Sequence, residues 1–148
     1  MKSRLPFRRQ EHPYSCTVAC LRMLLAYHGI EMDDADLHHR CRTREFGTYA
    51  RDVVACAREL GFTATIEHLS LVQLRHLVDQ GVFPIAYINM FPTSQIPYIH
   101  TVIVEDYEAD RLLLVDPNTG PWEIRVADFL EAWEIHGNMA LILRMEAE

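Results

Sequence analysis

The hydrophobic pattern of this 148-residue chain changes period part-way along, and that change limits the folds open to it. Up to about residue 80 the apolar residues recur at helical spacing; beyond it they come in short runs suited to strands. In the first part Val18, Leu21, Leu24, Leu25 and His28 share one stripe, with Ser15 in the N-cap position before them and Gly29 after them. This predicts a helix over residues 16–28. Further helices are expected from Asp33 or Asp34 through Leu37 and Cys41, over 50–60 before Gly61, and from the cap Ser70 to Asp79 before Gly81. A short strand is expected at 62–67. Strands follow at 82–90, 98–105, 111–116, 122–126 and 139–145, with a short helix at 127–134 and a strong turn at Pro117-Asn118-Thr119-Gly120. There are no repeats and no linker-like tracts, so the pattern predicts one α+β domain over 1–148, with helices first and an antiparallel sheet after.

Composition narrows the class of function. The formal net charge is −7, from 14 Lys and Arg against 21 Asp and Glu, which argues against a nucleic-acid partner. Four basic residues, Lys2, Arg4, Arg8 and Arg9, fall within the first nine, and this arm reads as a solvated tail or as a lure for an acidic partner. No apolar run is long enough for a membrane span, and no hydrophobic segment follows the basic residues as in a secretory signal. With four cysteines (16, 20, 41 and 56) and no such signal, free thiols and a cytoplasmic location are expected.

Residues 98–116 suggest chemistry. A five-residue hairpin loop at 106–110 would set Glu105 opposite Arg111 and therefore His100 opposite Asp116. Facing residues hold their Cβ atoms about 5 Å apart on one side of a sheet. In that register Val102 faces Leu114 and Val104 faces Leu112, so the side carrying His100 and Asp116 is otherwise apolar. Taken singly, His100 reads as an ordinary strand histidine and Asp116 as the start of a turn. As a pair, the carboxylate fixes one imidazole nitrogen and leaves the other free to take a proton.

Such a pair needs a nucleophile. Ser15 and Ser70 read as caps, Ser3 as part of the arm and Ser94 as a loop residue, whereas Cys16 stands at the first turn of a helix. Unpaired amides and the helix dipole favour a thiolate there. Gln10 lies six residues earlier, with Pro13 and Tyr14 between, close enough for its amide and the Cys16 N–H to hold an oxyanion. Cys20, one turn later, reads as core. A zinc site on Cys41 with His38 or His39 has no Cys-x2-Cys or His-x3-His spacing behind it.

The segment Gln10-Glu-His-Pro-Tyr-Ser-Cys16-Thr-Val-Ala-Cys20-Leu-Arg-Met resembles the start of the C39 peptidases, papain-like domains that cleave leader peptides and often form part of bacteriocin-exporting ABC transporters. The likeness continues through Tyr27-His28-Gly29, Phe46-Gly47-Thr48, Ala57-Arg-Glu-Leu-Gly61-Phe62, His100-Thr-Val-Ile-Val and Val115-Asp116-Pro-Asn-Thr-Gly120, then Asp128-Phe129 and Trp133. It implies a papain-like fold, Gln10 as oxyanion residue, Cys16 as nucleophile, His100 as base and Asp116 as orienting acid. It further implies a peptide or protein substrate cut after small residues, and no metal or other cofactor. The chain departs from the pattern at Thr17, where the family usually has glycine, and at Ser15, where it often has an acid. The Thr17 β-branch would narrow the substrate's approach or alter the local turn. No transmembrane or ATPase region is read, so coupled export is not implied. A non-catalytic peptide-binding module, or an amidase or acyltransferase using the same residues, remains open.

Overall fold

The computed structural model describes residues 1–89 and 99–145; loop 91–97, a candidate wall of the cleft, lies outside them. Three helices come first: α1 (Cys16–Tyr27), α2 (Asp34–Arg40) and α3 (Ala50–Glu59). There follow β1 (Phe62–His68), α4 (Leu71–Asp79), β2 (Ile85–Ile88), β3 (His100–Glu108), β4 (Arg111–Asp116), β5 (Gly120–Arg125), α5 (Val126–Glu134) and β6 (Met139–Met145). Local chemistry sets several of these limits. The Asp36 N–H donates to the Asp33 side chain at 2.8 Å at the start of α2. A capping box opens α4, with the Gln73 N–H donating to Ser70 Oγ at 3.1 Å and the Ser70 N–H to Gln73 Oε1 at 2.8 Å. Gly29, at φ +83°, takes the left-handed turn that ends α1.

The six strands form one sheet in the order β1-β6-β2-β3-β4-β5, every neighbouring pair antiparallel. The last strand in sequence is thus inserted between the first two. Helices cover both faces. On one, Val18, Leu21, Leu25, Leu37 and Val53 from α1–α3 pack with Ile103, Val115 and Leu141. On the other, Leu74, Leu77, Phe129 and Trp133 from α4 and α5 pack with Val102, Val104, Leu112 and Leu114. Leu112, Leu113, Leu114 and Val115 are consequently all buried, each contributing about 1.5–3 kcal/mol of transfer free energy.

The β3–β4 register differs from the expected one. The hairpin closes in a two-residue turn at Ala109 (φ +54°) and Asp110, with Glu108 opposite Arg111. The register then shifts between Val104 and Asp106, so that Val104 faces Leu114 and Ile103 faces Val115. Continuing this register sets Asp116 opposite Val102, and His100 becomes its diagonal neighbour. Glu105 occupies the bulge. Its carboxylate is 1% exposed and accepts bonds from Ser3 Oγ and the Arg4 N–H, both at 2.6 Å. This corrects the reading of the basic arm as a solvated tail: Leu5 is buried, Arg8 pairs with Glu31, and the arm is fastened to the middle of β3. Backbone amides and apolar packing decide its place, neither of which its charge pattern reveals.

Candidate active site

Cys16 is the first residue of α1. Ser15 holds the N-cap position as expected, but its hydroxyl makes no cap bond and lies 2.8 Å from His38 Nε2. The first-turn amides are therefore left without a side-chain acceptor, which favours negative charge at this helix end. His100 is the first residue of β3, opposite Ile88 of β2, and Asp116 is the last of β4. His100 Nε2 lies 3.0 Å from both carboxylate oxygens of Asp116. The ring is also hydrogen-bonded to Cys16, and with Nε2 taken up by the acid, Nδ1 is the nitrogen left for the thiol. The structure thus brings together Cys16, His100 and Asp116.

Each partner alters the ionisation of the next. Burial opposes charge on the Cys16 thiol, but hydrogen bonds from His100, Thr101 and Thr17 outweigh it and bring the pKa from 9.0 down to about 7. Burial likewise opposes protonation of His100, yet its bonds to Asp116 and Cys16 raise its pKa to about 9. Asp116, against its own burial, is held below the usual carboxylate range by His100 and by the backbone N–H groups of Asn118 and Thr119. The Asn118 N–H donates to Asp116 Oδ1 at 2.8 Å. The Pro-Asn-Thr-Gly turn expected from the sequence therefore also keeps the acid ionised. With the thiol more acidic than the imidazolium, thiolate and imidazolium are the main forms of the pair between about pH 7 and about pH 9.

Gln10 is placed differently. Its backbone N–H donates to the Pro117 carbonyl at 2.7 Å, which ties the loop before α1 to the residue after Asp116. Its side-chain Nε2 donates to the His12 carbonyl at 3.0 Å, while Oε1 is buried without a partner. The side chain lines a shallow groove with Glu11, His12, Pro13 and Asn118 rather than the cleft that Cys16 lines.

That cleft, about 340 Å³, has walls that include Phe46, Gly47, Tyr49, Tyr87 and Ile99. Phe46, Tyr49 and Ile99 are all substantially exposed, leaving an apolar wall facing solvent beside the thiol. A depression of the same volume, lined by Glu67, Leu69, Val72 and His76 among others, contains none of these three residues. The Thr17 side chain is buried, its Oγ1 3.3 Å from Thr101 Oγ1 and 3.8 Å from Cys16 Sγ. Thr17 lines the cleft, and the helix start is regular despite the departure from glycine. Thr101, which escaped the sequence reading, supports the thiol from β3. The alternation of that strand, with Ile103 on the α1 face, was the available signal.

Cys20 packs in the core with its Sγ 3.8 Å from the Thr101 carbonyl. Cys41 and Cys56 are buried side by side, with a hydrogen bond between them that pushes the Cys41 thiol up. All four cysteines are free.

Comparison with known proteins follows the same lines. The model of the peptidase C39 family matches residues 4–147. Among solved structures, the peptidase domain of Streptococcus ComA, a bi-functional ABC transporter involved in a quorum-sensing pathway, superimposes with a TM-score of 0.79 at 20% identity, covering 94% of this chain and 97% of that one. A double-glycine-motif protease from an AMS/PCAT transporter, solved in complex with its leader peptide, gives 0.78 at 20% identity, with 98% and 94% covered. A putative C39-like peptidase from Bacillus anthracis gives 0.80 at 18% identity, covering 98% and 96%. No curated protein sequence matches the chain. Among the described residues no helix is long and apolar enough to cross a membrane.

Proposed function

The chain belongs to the peptidase C39 family, and we propose that it is a cysteine peptidase in which Cys16 is the nucleophile, His100 the acid and base, and Asp116 the group that orients the histidine. The observation that carries this reading is His100 itself, bonded through Nε2 to both Asp116 oxygens at 3.0 Å and bonded also to Cys16. The thiolate attacks the scissile carbonyl carbon, and the carbonyl oxygen takes the negative charge. As the tetrahedral intermediate collapses, His100 passes its proton to the departing amine and an acyl-enzyme remains. Water, losing a proton to the now neutral imidazole, attacks the thioester, and collapse of the second intermediate frees the acid and restores the ion pair.

The oxyanion is assigned to the Cys16 N–H and the Gln10 amide. Gln10 now holds a single side-chain bond, to the His12 carbonyl. Re-aiming its NH2 group gives up one hydrogen bond, about 0.5–1.5 kcal/mol net, which a developing oxyanion more than offsets.

The substrate is proposed to be a peptide with small residues before the cut. The leader peptide bound by the double-glycine-motif protease supports this at the level of the shared fold, and the exposed apolar wall of Phe46, Tyr49 and Ile99 supplies a surface for apolar side chains. The test is incubation with a peptide library, with products mapped by mass spectrometry. Cleavage that disappears in Cys16→Ala supports the reading. Its absence from both proteins, or its survival in the variant, overturns it, and a product joined to an added amine would reassign the activity to acyl transfer.

A further inference from the structure

A second chemical cluster lies directly before the nucleophile. The ligand atoms of His12, Asp34 and His38 all lie within 4.8 Å of one another. Asp34 and His38 are one turn apart on α2, and His12 comes from the loop that leads into α1. Asp34 Oδ2 is 3.2 Å from His38 Nε2 and 3.8 Å from His12 Nε2. We propose that these three side chains form a binding site for a divalent transition cation of the zinc type, with two imidazole nitrogens and one carboxylate oxygen as ligands.

Geometry and donor chemistry both favour such an ion. A tetrahedral zinc with donors at about 2.0–2.2 Å holds them roughly 3.3–3.5 Å apart. The 3.2 Å and 3.8 Å separations lie within a few tenths of an ångström of that spacing. Imidazole and carboxylate together suit zinc and its first-row neighbours, whereas calcium and magnesium prefer oxygen alone. Asp34 is 4% exposed, and a buried carboxylate requires compensation. His12 is about half exposed, so the fourth position opens to solvent, and Ser15 Oγ, 2.8 Å from His38 Nε2, stands beside it. The surroundings also fix ring positions, since His12 stacks on Tyr14 at 5.0 Å with the planes 2° apart.

An ion here would fasten loop 12–15 to α2 just ahead of Cys16, independently of whether Cys16 is catalytic. This differs from the zinc arrangement weighed from sequence, in which His38 or His39 was paired with Cys41. His38 instead turns towards an aspartate one helical turn before it and a histidine 26 positions earlier.

The test is calorimetric titration of the full chain with Zn²⁺, in a Cys16→Ser background that removes the cleft thiol as a competitor. One equivalent should bind with a dissociation constant in the micromolar range or below, and His12→Ala should weaken it at least about tenfold. His12 is half exposed, so this variant leaves the core intact; His38→Ala, which also loses the Ser15 contact, serves as a second probe if circular dichroism shows it folded. Co²⁺ in place of Zn²⁺ should give a visible spectrum without a thiolate charge-transfer band. Failure to bind one equivalent, binding unchanged in His12→Ala, or a thiolate band placing the ion on Cys41 and Cys56 would each overturn the assignment.

Discussion

His100 Nε2 sits 3.0 Å from each carboxylate oxygen of Asp116, a forked contact that fixes both the tilt of the ring and the position of its proton. Replacing Asp116 by Asn keeps the shape of the site but removes the charge and permits the wrong tautomer. Steady-state kinetics on a cleaved peptide should show kcat/KM falling by about 10²–10⁴-fold. A fall of less than about threefold would remove Asp116 from the mechanism.

The pH profile follows from the same pairing. The Cys16 pKa is lowered to about 7, so the thiolate appears above that pH; the His100 pKa is raised to about 9, so the imidazolium is lost above that one. Activity should therefore rise through about pH 7 and fall through about pH 9, with both apparent values belonging to the pair. In Asp116→Asn the alkaline limb should move to lower pH, because the carboxylate no longer supports the imidazolium. A profile flat from pH 6 to 10 would contradict the ion pair.

Alkylation provides a reading that needs no substrate. A thiol pKa of about 7 rather than 9.0 gives about a hundredfold more thiolate at mildly acidic pH. Cys20, Cys41 and Cys56 are buried. Iodoacetamide at about pH 6 should thus mark Cys16 first, as located by peptide mass mapping, and His100→Ala should slow that labelling many-fold. Equal rates at all four cysteines would count against an activated nucleophile.

Gln10→Ala tests the oxyanion assignment. Loss of one such donor lowers kcat by about 10²–10³-fold while KM changes little. An effect confined to KM would instead make Gln10 a residue that binds substrate without stabilising the oxyanion.

The Glu105 bulge makes a prediction about stability. Glu105→Ala strands the Ser3 hydroxyl and the Arg4 amide and should cost about 1–3 kcal/mol. Urea unfolding would record this as a lower midpoint with an unchanged slope. Because Glu105 interrupts the strand that starts with His100, a replacement that also removes the bulge should impair cleavage.

Much of this architecture was legible in the sequence because its signals are local. Gly29 marks the end of α1, Ser70 marks the start of α4, and Pro117 to Gly120 marks the turn beside the acid. The β3–β4 register was not legible, for a physical reason. Alternation identifies a register only when one face of the sheet is polar; here Val102 and Ile103, which point to opposite faces, are both buried. A slip of two residues keeps the same faces and leaves no trace in the pattern. The bulge that absorbs it depends on Glu105 being met by Ser3 and Arg4, a contact about a hundred positions away. The meeting of His100 with Asp116 was anticipated correctly, although through a facing position rather than the diagonal one found. The Gln10 amide and the His12, Asp34 and His38 cluster likewise depend on how loop 10–15 folds back, which no spacing encodes.

The strand order has a consequence for the chain as it leaves the ribosome. Because β6 lies between β1 and β2, residues 62–68 have no partner strand until residues 139–145 are made. The helix bearing Cys16 is made early, and β3 and β4, which carry His100 and Asp116, pair with each other without β6; what waits for residues 139–145 is the joining of β1 to the rest of the sheet. Long-range closure of this kind is slow and cooperative. Until then β1 presents an unpaired row of backbone donors and acceptors, an open edge that a strand of another chain could occupy.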